Sequence, residues 1–463
     1  MSVSMLTSSS RLPVRQRLWL ASFVALPYAM YAALLVMTYL LVTAMAMRGR
    51  SVWQLCSQWG FGWLSMGLLL SASFALNRGD AFLQLANFFP FFLLWGVLAT
   101  NPKVVAQPFV VLETLARWLV LSSVPLCAIA LIEYLLKFES LIEPLKASSL
   151  PQWFLGWLYE EPYFGHRARS LFDHPNGLSA YLAIVLGLGL GLLLKALADR
   201  ASSSAQAVTA TTQQTAVTQQ TAVTQQTAVT QQMMQLVGAV ILCLMAIFCT
   251  GSRNGVLIAL VLVAIALYIA RRYRWAWLSG LVFLGAIATA VLSFGIGGRT
   301  LSLAIFTDDP RVGIWRLAIE MIRQRPLLGW GFSGLRELYL PGSIQSYEII
   351  FHAHNIWLFL ASESGLPVTI GFCVIFGTIL YRAMRAYLSS PDAVKETDSL
   401  SFNSGLSAGD KAILLSYLLA FSSCLMFGLF DVVLFDARLN VPVWGLLAAL
   451  YLLSRPSGSS LGR

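Results

Sequence analysis

From residue 57 onward the chain alternates long apolar runs with short polar or basic stretches. Ten runs reach or approach the roughly 20 residues a helix needs to cross a bilayer: 57–76, 81–99, 113–137, 175–198, 233–250, 255–271, 276–296, 366–383, 412–430 and 440–454. Residues 18–46 are also apolar, and form either one long helix or two short ones broken near Pro27-Tyr28. Between the seventh and eighth runs the pattern changes. Within residues 297–354, Arg311–Arg323 places Val312, Ile314, Trp315, Leu317, Ala318, Met321 and Ile322 at near-helical spacing. This predicts an amphipathic helix lying on a membrane or capping a cavity, ended by Pro326 and the Gly329-Trp330-Gly331 turn. Residues 213–230 are three copies of Gln-Gln-Thr-Ala-Val-Thr, followed by Gln231-Gln232. With their flanks they read as a disordered, low-complexity loop over 200–232; without a glycine corner or a core, a solenoid is the poorer reading.

Composition agrees with the runs. The chain is 57% hydrophobic and 11% charged, with a mean hydropathy of +0.72, far from the roughly 25% charge of soluble domains. Arg11, Arg15 and Arg17 precede an apolar run with no small-residue cleavage site, so the first segment reads as an uncleaved anchor. Most of the net charge of +10 lies in loops, where it sets orientation and does not point to nucleic acid. Arg200, Arg271, Arg272, Arg274, Arg382, Arg385, Lys395, Lys411, Arg455 and Arg463 share one side under the alternation of spans, which makes that side cytoplasmic. Lys103, Arg48 and Arg50 join it, and so do the N-terminal arginines if 18–46 crosses twice. The expected fold is therefore an all-α polytopic membrane protein, one membrane-embedded domain over 1–463 with about 12 transmembrane helices and both termini inside. Cys56, Cys127, Cys243, Cys249, Cys373 and Cys424 lie in or beside apolar runs without metal-site spacing, so neither disulfides nor a metal are expected.

The opposite side collects 138–174, 251–254, 297–354 and 431–439, and with them the candidate chemistry. Gly165-His166-Arg167-Ala168-Arg169 leads through Asp173-His174-Pro175-Asn176 into a span. Arginines commonly flank membrane helices, but the positive-inside rule disfavours them on this face. Gly251-Ser252-Arg253-Asn254-Gly255 pins an arginine in a very short turn. Arg311 follows Asp309-Pro310 at a predicted helix start, where a cation is unfavourable unless an anion compensates. Phe351-His352-Ala353-His354-Asn355 holds two of only four histidines. Local hydrogen bonds at a helix start would satisfy His354, yet its ordinary pKa also suits a general base. Arginines from three loops on one face suggest a shared anionic ligand held by guanidinium forks. No Walker loop or multi-carboxylate cluster accompanies them, which favours a lipid-borne diphosphate over a nucleotide with Mg²⁺.

In this order the motifs resemble those of the bacterial O-antigen ligase/polymerase superfamily of membrane glycosyltransferases: Arg167 to Pro175-Asn176, the Gly-Ser-Arg turn, Arg311 to Gly331, and His354-Asn355 through Glu363 to Gly365. The likeness covers roughly 160–370; Asp173-His174 before Pro175 is unusual for it. The resemblance implies an active site facing the periplasm of the bacterial inner membrane, with 297–354 as the large periplasmic loop. It implies transfer of a glycan from undecaprenyl diphosphate to the lipid A-core oligosaccharide in lipopolysaccharide biosynthesis, with no cofactor, no metal and no nucleic acid. His354 would be the base; Arg167, Arg169, Arg253 and Arg311 would bind diphosphate; Asn176, Asn355 and Glu363 would support, the last two as candidates to orient His354. A polymerase or protein O-oligosaccharyltransferase of the same superfamily is the alternative. The short stretch after 454 tilts the reading toward ligase. A lipid-linked sugar transporter is the reading from another class, but no repeat relates the two halves and the polar residues gather at one interface instead of mid-bilayer.

Overall fold

The computed structural model describes residues 13–137, 151, 153, 155–156, 165–210, 216–271, 273–294, 309–344, 347–389, 406–432 and 435–455. The described elements are helical: α1 Val14–Ala25, α2 Met30–Gln58, α3 Phe61–Ser73, α4 Arg78–Gln84, α5 Phe89–Ala99, α6 Pro102–Ala106, α7 Pro108–Ser122, α8 Val124–Leu136, α9 Pro175–Ala210, α10 Ala216–Cys249, α11 Arg253–Ala270, α12 Arg274–Phe294, α13 Arg311–Gln324, α14 Gly334–Leu338, α15 Ile356–Ser364, α16 Leu366–Ser389, α17 Ala408–Gly428 and α18 Ala437–Leu453. Among the described residues no strand forms beyond an isolated bridge between Ile344 and Tyr347.

The all-α, polytopic expectation holds among the described residues. Eight described segments are long and apolar enough to cross a membrane: Met30–Gln58, Arg78–Ala99, Pro108–Leu136, Pro175–Ala201, Thr230–Cys249, Arg253–Ala270, Leu366–Ser389 and Ala408–Gly428. Two of the expected twelve are shorter apolar helices, α3 and α18. Gly60, left-handed at φ +82°, starts α3 late, and Phe74 leaves helical geometry to end it after 13 residues. The 18–46 run does break, at Pro27-Tyr28, into the 12-residue α1 and the 29-residue α2. The apolar part of α2 ends at a kink at Arg48, whose guanidinium reaches the Thr100 carbonyl. Within the low-complexity stretch 200–232, α9 runs through Ala210 and α10 begins at Ala216, so the described part of the repeat is helical. Gln and Ala are good helix formers, and each repeat continues an apolar helix already nucleated beside it.

The chain divides into two compact units, residues 1–108, 302–382 and 424–455, and residues 109–301, 383–423 and 456–463. In the first, an aromatic cluster forms the core: Phe61 lies 4.9 Å from Trp95 between ring centroids, Phe92 lies 5.3 Å from Trp444, and Phe88 stacks on Phe332 at 5.0 Å. This sets the platform beneath α13–α15. In the second, α9 is buried along 89% of its most apolar window. Gly187 sits so close to α17 that an added Cβ would come within 2.5 Å of the Ala420 nitrogen, and one at Gly191 would strike Ser416. Such small-residue seams let membrane helices approach backbone to backbone.

Candidate active site

In the first unit the site grows from two interlocked turns. Asn355 starts α15: its Oδ1 accepts from Trp357 N–H (3.0 Å) and Leu358 N–H (3.1 Å), and its Nδ2 donates to the Leu429 carbonyl (3.1 Å). Asn355 is thus a helix cap that also ties α15 to the segment just before Asp431. His354 precedes the cap in the left-handed region at φ +47°, a conformation that costs a non-glycine residue on the order of 1 kcal/mol. Its Nδ1 lies 3.4 Å from Asp431 Oδ1, with side chains 19% and 14% exposed. The His352 ring stands edge-on to His354 at 4.5 Å, and its Nδ1 accepts from the His354 N–H. Burial alone would raise the Asp431 carboxyl; the His354 imidazole beside it, backed by His352 and Arg311, outweighs burial and holds the group well below the usual carboxylate range. A carboxylate beside Nδ1 favours the tautomer with a proton there, which leaves the Nε2 lone pair to take a proton from a substrate.

Arg311 opens α13. Its N–H donates to Asp309 Oδ1 at 2.9 Å, so the anion expected to compensate a cation at this helix start is supplied first by the chain itself. Tyr347 is pushed up chiefly by burial, which the nearby Arg311 guanidinium opposes. The Tyr347 ring lies 5.7 Å from that of His354. Arg311, Tyr347, His354, His352 and Asp431 therefore share one neighbourhood.

Glu363 does different work from the orienting role expected of it. It is fully buried, and its two oxygens accept from Gly334 N–H (2.9 Å) and Leu335 N–H (2.7 Å) at the start of α14. Around it the two motifs lie backbone to backbone: Trp330 N–H donates to Ser362 O (3.0 Å), Gly331 N–H to Glu363 O (2.8 Å) and Leu366 N–H to Pro326 O (2.8 Å). Gly329 and Gly365 have φ of +67° and +85°, and a Cβ on either would collide with the other turn's backbone. Desolvation pushes the Glu363 carboxyl up to about 8 despite the amides that favour its charged form.

The second unit assembles the remaining motifs. Arg167 Nε donates to the Thr250 carbonyl (2.8 Å) and its Nη2 to Asn176 Oδ1 (2.6 Å), while Ala168 N–H donates to the Cys249 carbonyl (2.9 Å). The Arg167–Asn176 stretch and the Gly-Ser-Arg turn are thus joined. Arg253 is the first residue of α11, capped by Ser252 Oγ, which accepts from Gly255 N–H at 3.3 Å. Gly255 leaves room for the Ser179 hydroxyl of α9. His174 Nδ1 accepts from Asn176 N–H at 3.0 Å, which gives the unusual histidine a capping role. Beneath the loop, Glu133 Oε2 accepts from Arg169 N–H (3.0 Å) and Ser170 N–H (2.7 Å), and Lys137 Nζ bridges Glu133 Oε1 (2.7 Å) to the Arg167 carbonyl (2.8 Å).

Asp431, Tyr347, Glu133 and Lys137 were not singled out from the sequence. Three of them carried a signal. Glu133 and Lys137 form an i,i+4 pair at the end of an apolar run, where ionisable residues are functional candidates by default. Asp431 begins a short loop already assigned to the face of His354. Tyr347 carried none.

A helical, multi-pass membrane protein with a histidine–carboxylate pair and arginine-bearing turns is the class these features define. Residues 238–373 match the family model described as O-antigen ligase (Wzy_C), taking in the Gly-Ser-Arg turn, Arg311–Gly331 and His354–Gly365. This match supports a relationship to the O-antigen ligase/polymerase superfamily, whose members are glycosyltransferase-like membrane proteins. A comparison with curated proteins returned no match.

Proposed function

We propose that this protein is an O-antigen ligase, transferring a glycan from undecaprenyl diphosphate to the lipid A-core oligosaccharide at the periplasmic face of the inner membrane. The observation that carries this reading is the Asp431–His354 pair inside a superfamily of glycosyltransferase-like proteins. His354 Nε2 takes the proton of the acceptor hydroxyl while that oxygen attacks the anomeric carbon. The bond from that carbon to the diphosphate breaks with its electron pair leaving on the diphosphate, so a single displacement inverts the centre. Arg311 meets the developing charge beside His354 in place of a metal; Arg169 and Arg253 offer guanidinium forks to diphosphate oxygens, and Arg167 adds to them while binding its two loops together. Asp431 fixes the tautomer of His354. Asn176 and Asn355 act as positioning residues, and Glu363 holds the two turns of the first unit.

The test is a reconstituted assay with purified protein, lipid-linked donor and lipid A-core, run with chelator and with alternative acceptors. A covalent product formed without other proteins is expected, lost in His354→Ala. Absence of product with wild-type protein, or near-normal transfer by His354→Ala, would overturn the reading. Product only with a second glycan or a protein acceptor would shift it to the polymerase or protein-glycosylating branch.

A further inference from the structure

The structure assigns a second use to the His352, His354 and Asp431 cluster: an inhibitory site for a borderline transition-metal ion such as Zn²⁺. The sequence held no metal-spaced motif, because Asp431 is 77 residues beyond His354. In space, one ligand atom from each of the three lies within 4.8 Å of the other two. Two imidazoles and a carboxylate form the three-protein-ligand set of open zinc sites, which leave a fourth position for water. Spacing supports this choice of ion. Bonds of about 2.0–2.1 Å in a tetrahedron put ligand atoms about 3.3 Å apart, and His354 Nδ1 to Asp431 Oδ1 is 3.4 Å. The same set excludes Mg²⁺ and Ca²⁺, which need six or more oxygen ligands, whereas this group offers one carboxylate. The nearby Arg311 charge, felt at Asp431, opposes a cation and makes the site weaker than a structural zinc centre. It is therefore a site that fills when zinc is available and empties to a chelator.

Occupancy has a functional consequence that rests on the proposed base role of His354. A metal held by that imidazole and by Asp431 removes the carboxylate from Nδ1 and fixes the ring in the coordination sphere, so the base can no longer be set for proton transfer. The metal-free protein is the active form.

The experiment uses full-length, chelator-stripped protein in detergent, titrated with Co²⁺ as a spectroscopic substitute and with Zn²⁺ in competition. Visible d–d bands of tetrahedral Co²⁺ are expected in the wild type, bleached by Zn²⁺. Affinity should fall roughly tenfold or more, as for losses around metal sites generally, in both His352→Gln and Asp431→Asn, whose changes lie on separate segments. In the transfer assay, Zn²⁺ should inhibit the wild type and Mg²⁺ should not; measured against its own metal-free rate, His352→Gln should resist Zn²⁺. No Co²⁺ band in the wild type, or equal titrations in all three proteins, overturns the site. Zinc that binds without inhibiting overturns its regulatory consequence. A metal-free wild type that binds Co²⁺ yet transfers nothing overturns the base reading alone and leaves the metal site standing.

Discussion

Replacing Glu363 tests how the motif turns are held. In Glu363→Ala, the N–H groups of Gly334 and Leu335 lose their acceptors in a site with no exposure. Each unpaired buried amide costs about 1–3 kcal/mol, so α14 should open about 2–6 kcal/mol more readily. At about 1.4 kcal/mol per factor of ten, amide exchange of these residues should accelerate by roughly 30-fold to more than 10⁴-fold. Glu363→Gln keeps one acceptor but turns an NH₂ toward the other amide, so roughly one such penalty remains, about 5- to 150-fold. Acidity adds a second handle. Burial raises the carboxyl from 4.5 to about 8, so the folded state binds the proton more tightly than the unfolded chain. The contribution is fully present below about 4.5 and lost as pH rises through about 8, a span worth on the order of 5 kcal/mol. The assay is hydrogen–deuterium exchange of peptides covering 330–340, corrected for intrinsic rates, across that pH range. Equal protection in wild type, Glu363→Gln and Glu363→Ala, or a pH dependence that survives in Glu363→Gln, would refute the reasoning.

Asp431→Asn should leave His354 without its carboxylate and lower transfer by roughly 10²–10⁴-fold, the usual range for general-base catalysis, with expression and donor binding retained; transfer within a few-fold of wild type would exclude the pair. Arg253→Lys should be severely impaired in the same assay because an ammonium cannot make the guanidinium fork, and equal rates would remove the bidentate contact. Lys137→Met strands Glu133, whose pair is 7% and 0% exposed; breaking a buried pair costs about 3–5 kcal/mol, read as lost exchange protection at Arg169 and Ser170.

The spans were legible because hydropathy alone marks them, and their ends were not, because Gly60 and Arg48 act through backbone geometry. The periodicity of Arg311–Arg323 gave α13 almost to the residue. His354 was visible as a rare polar group at a helix start. Its partner was not, since Asp431 reaches it only once the loop after α17 is folded beside Asn355. Glu363 stood out by position, but its amide partners at 334 and 335 lie on the preceding motif, and one chain read alone does not show which motif faces which. At the hexapeptide repeat, composition suggested disorder, whereas continuity with an apolar helix makes its described part helical.

Among the described non-glycine residues, Ser170, Ser333 and His354 have left-handed backbones, and each stands where a motif turns. Glycine would relax all three, by about 1 kcal/mol apiece. The folded chain is therefore not at its own optimum there. At 354 that relief is outweighed by the loss of the imidazole that faces the largely buried Asp431 carboxylate, so a library screened only for thermal endurance should enrich glycine at 333 and keep histidine at 354.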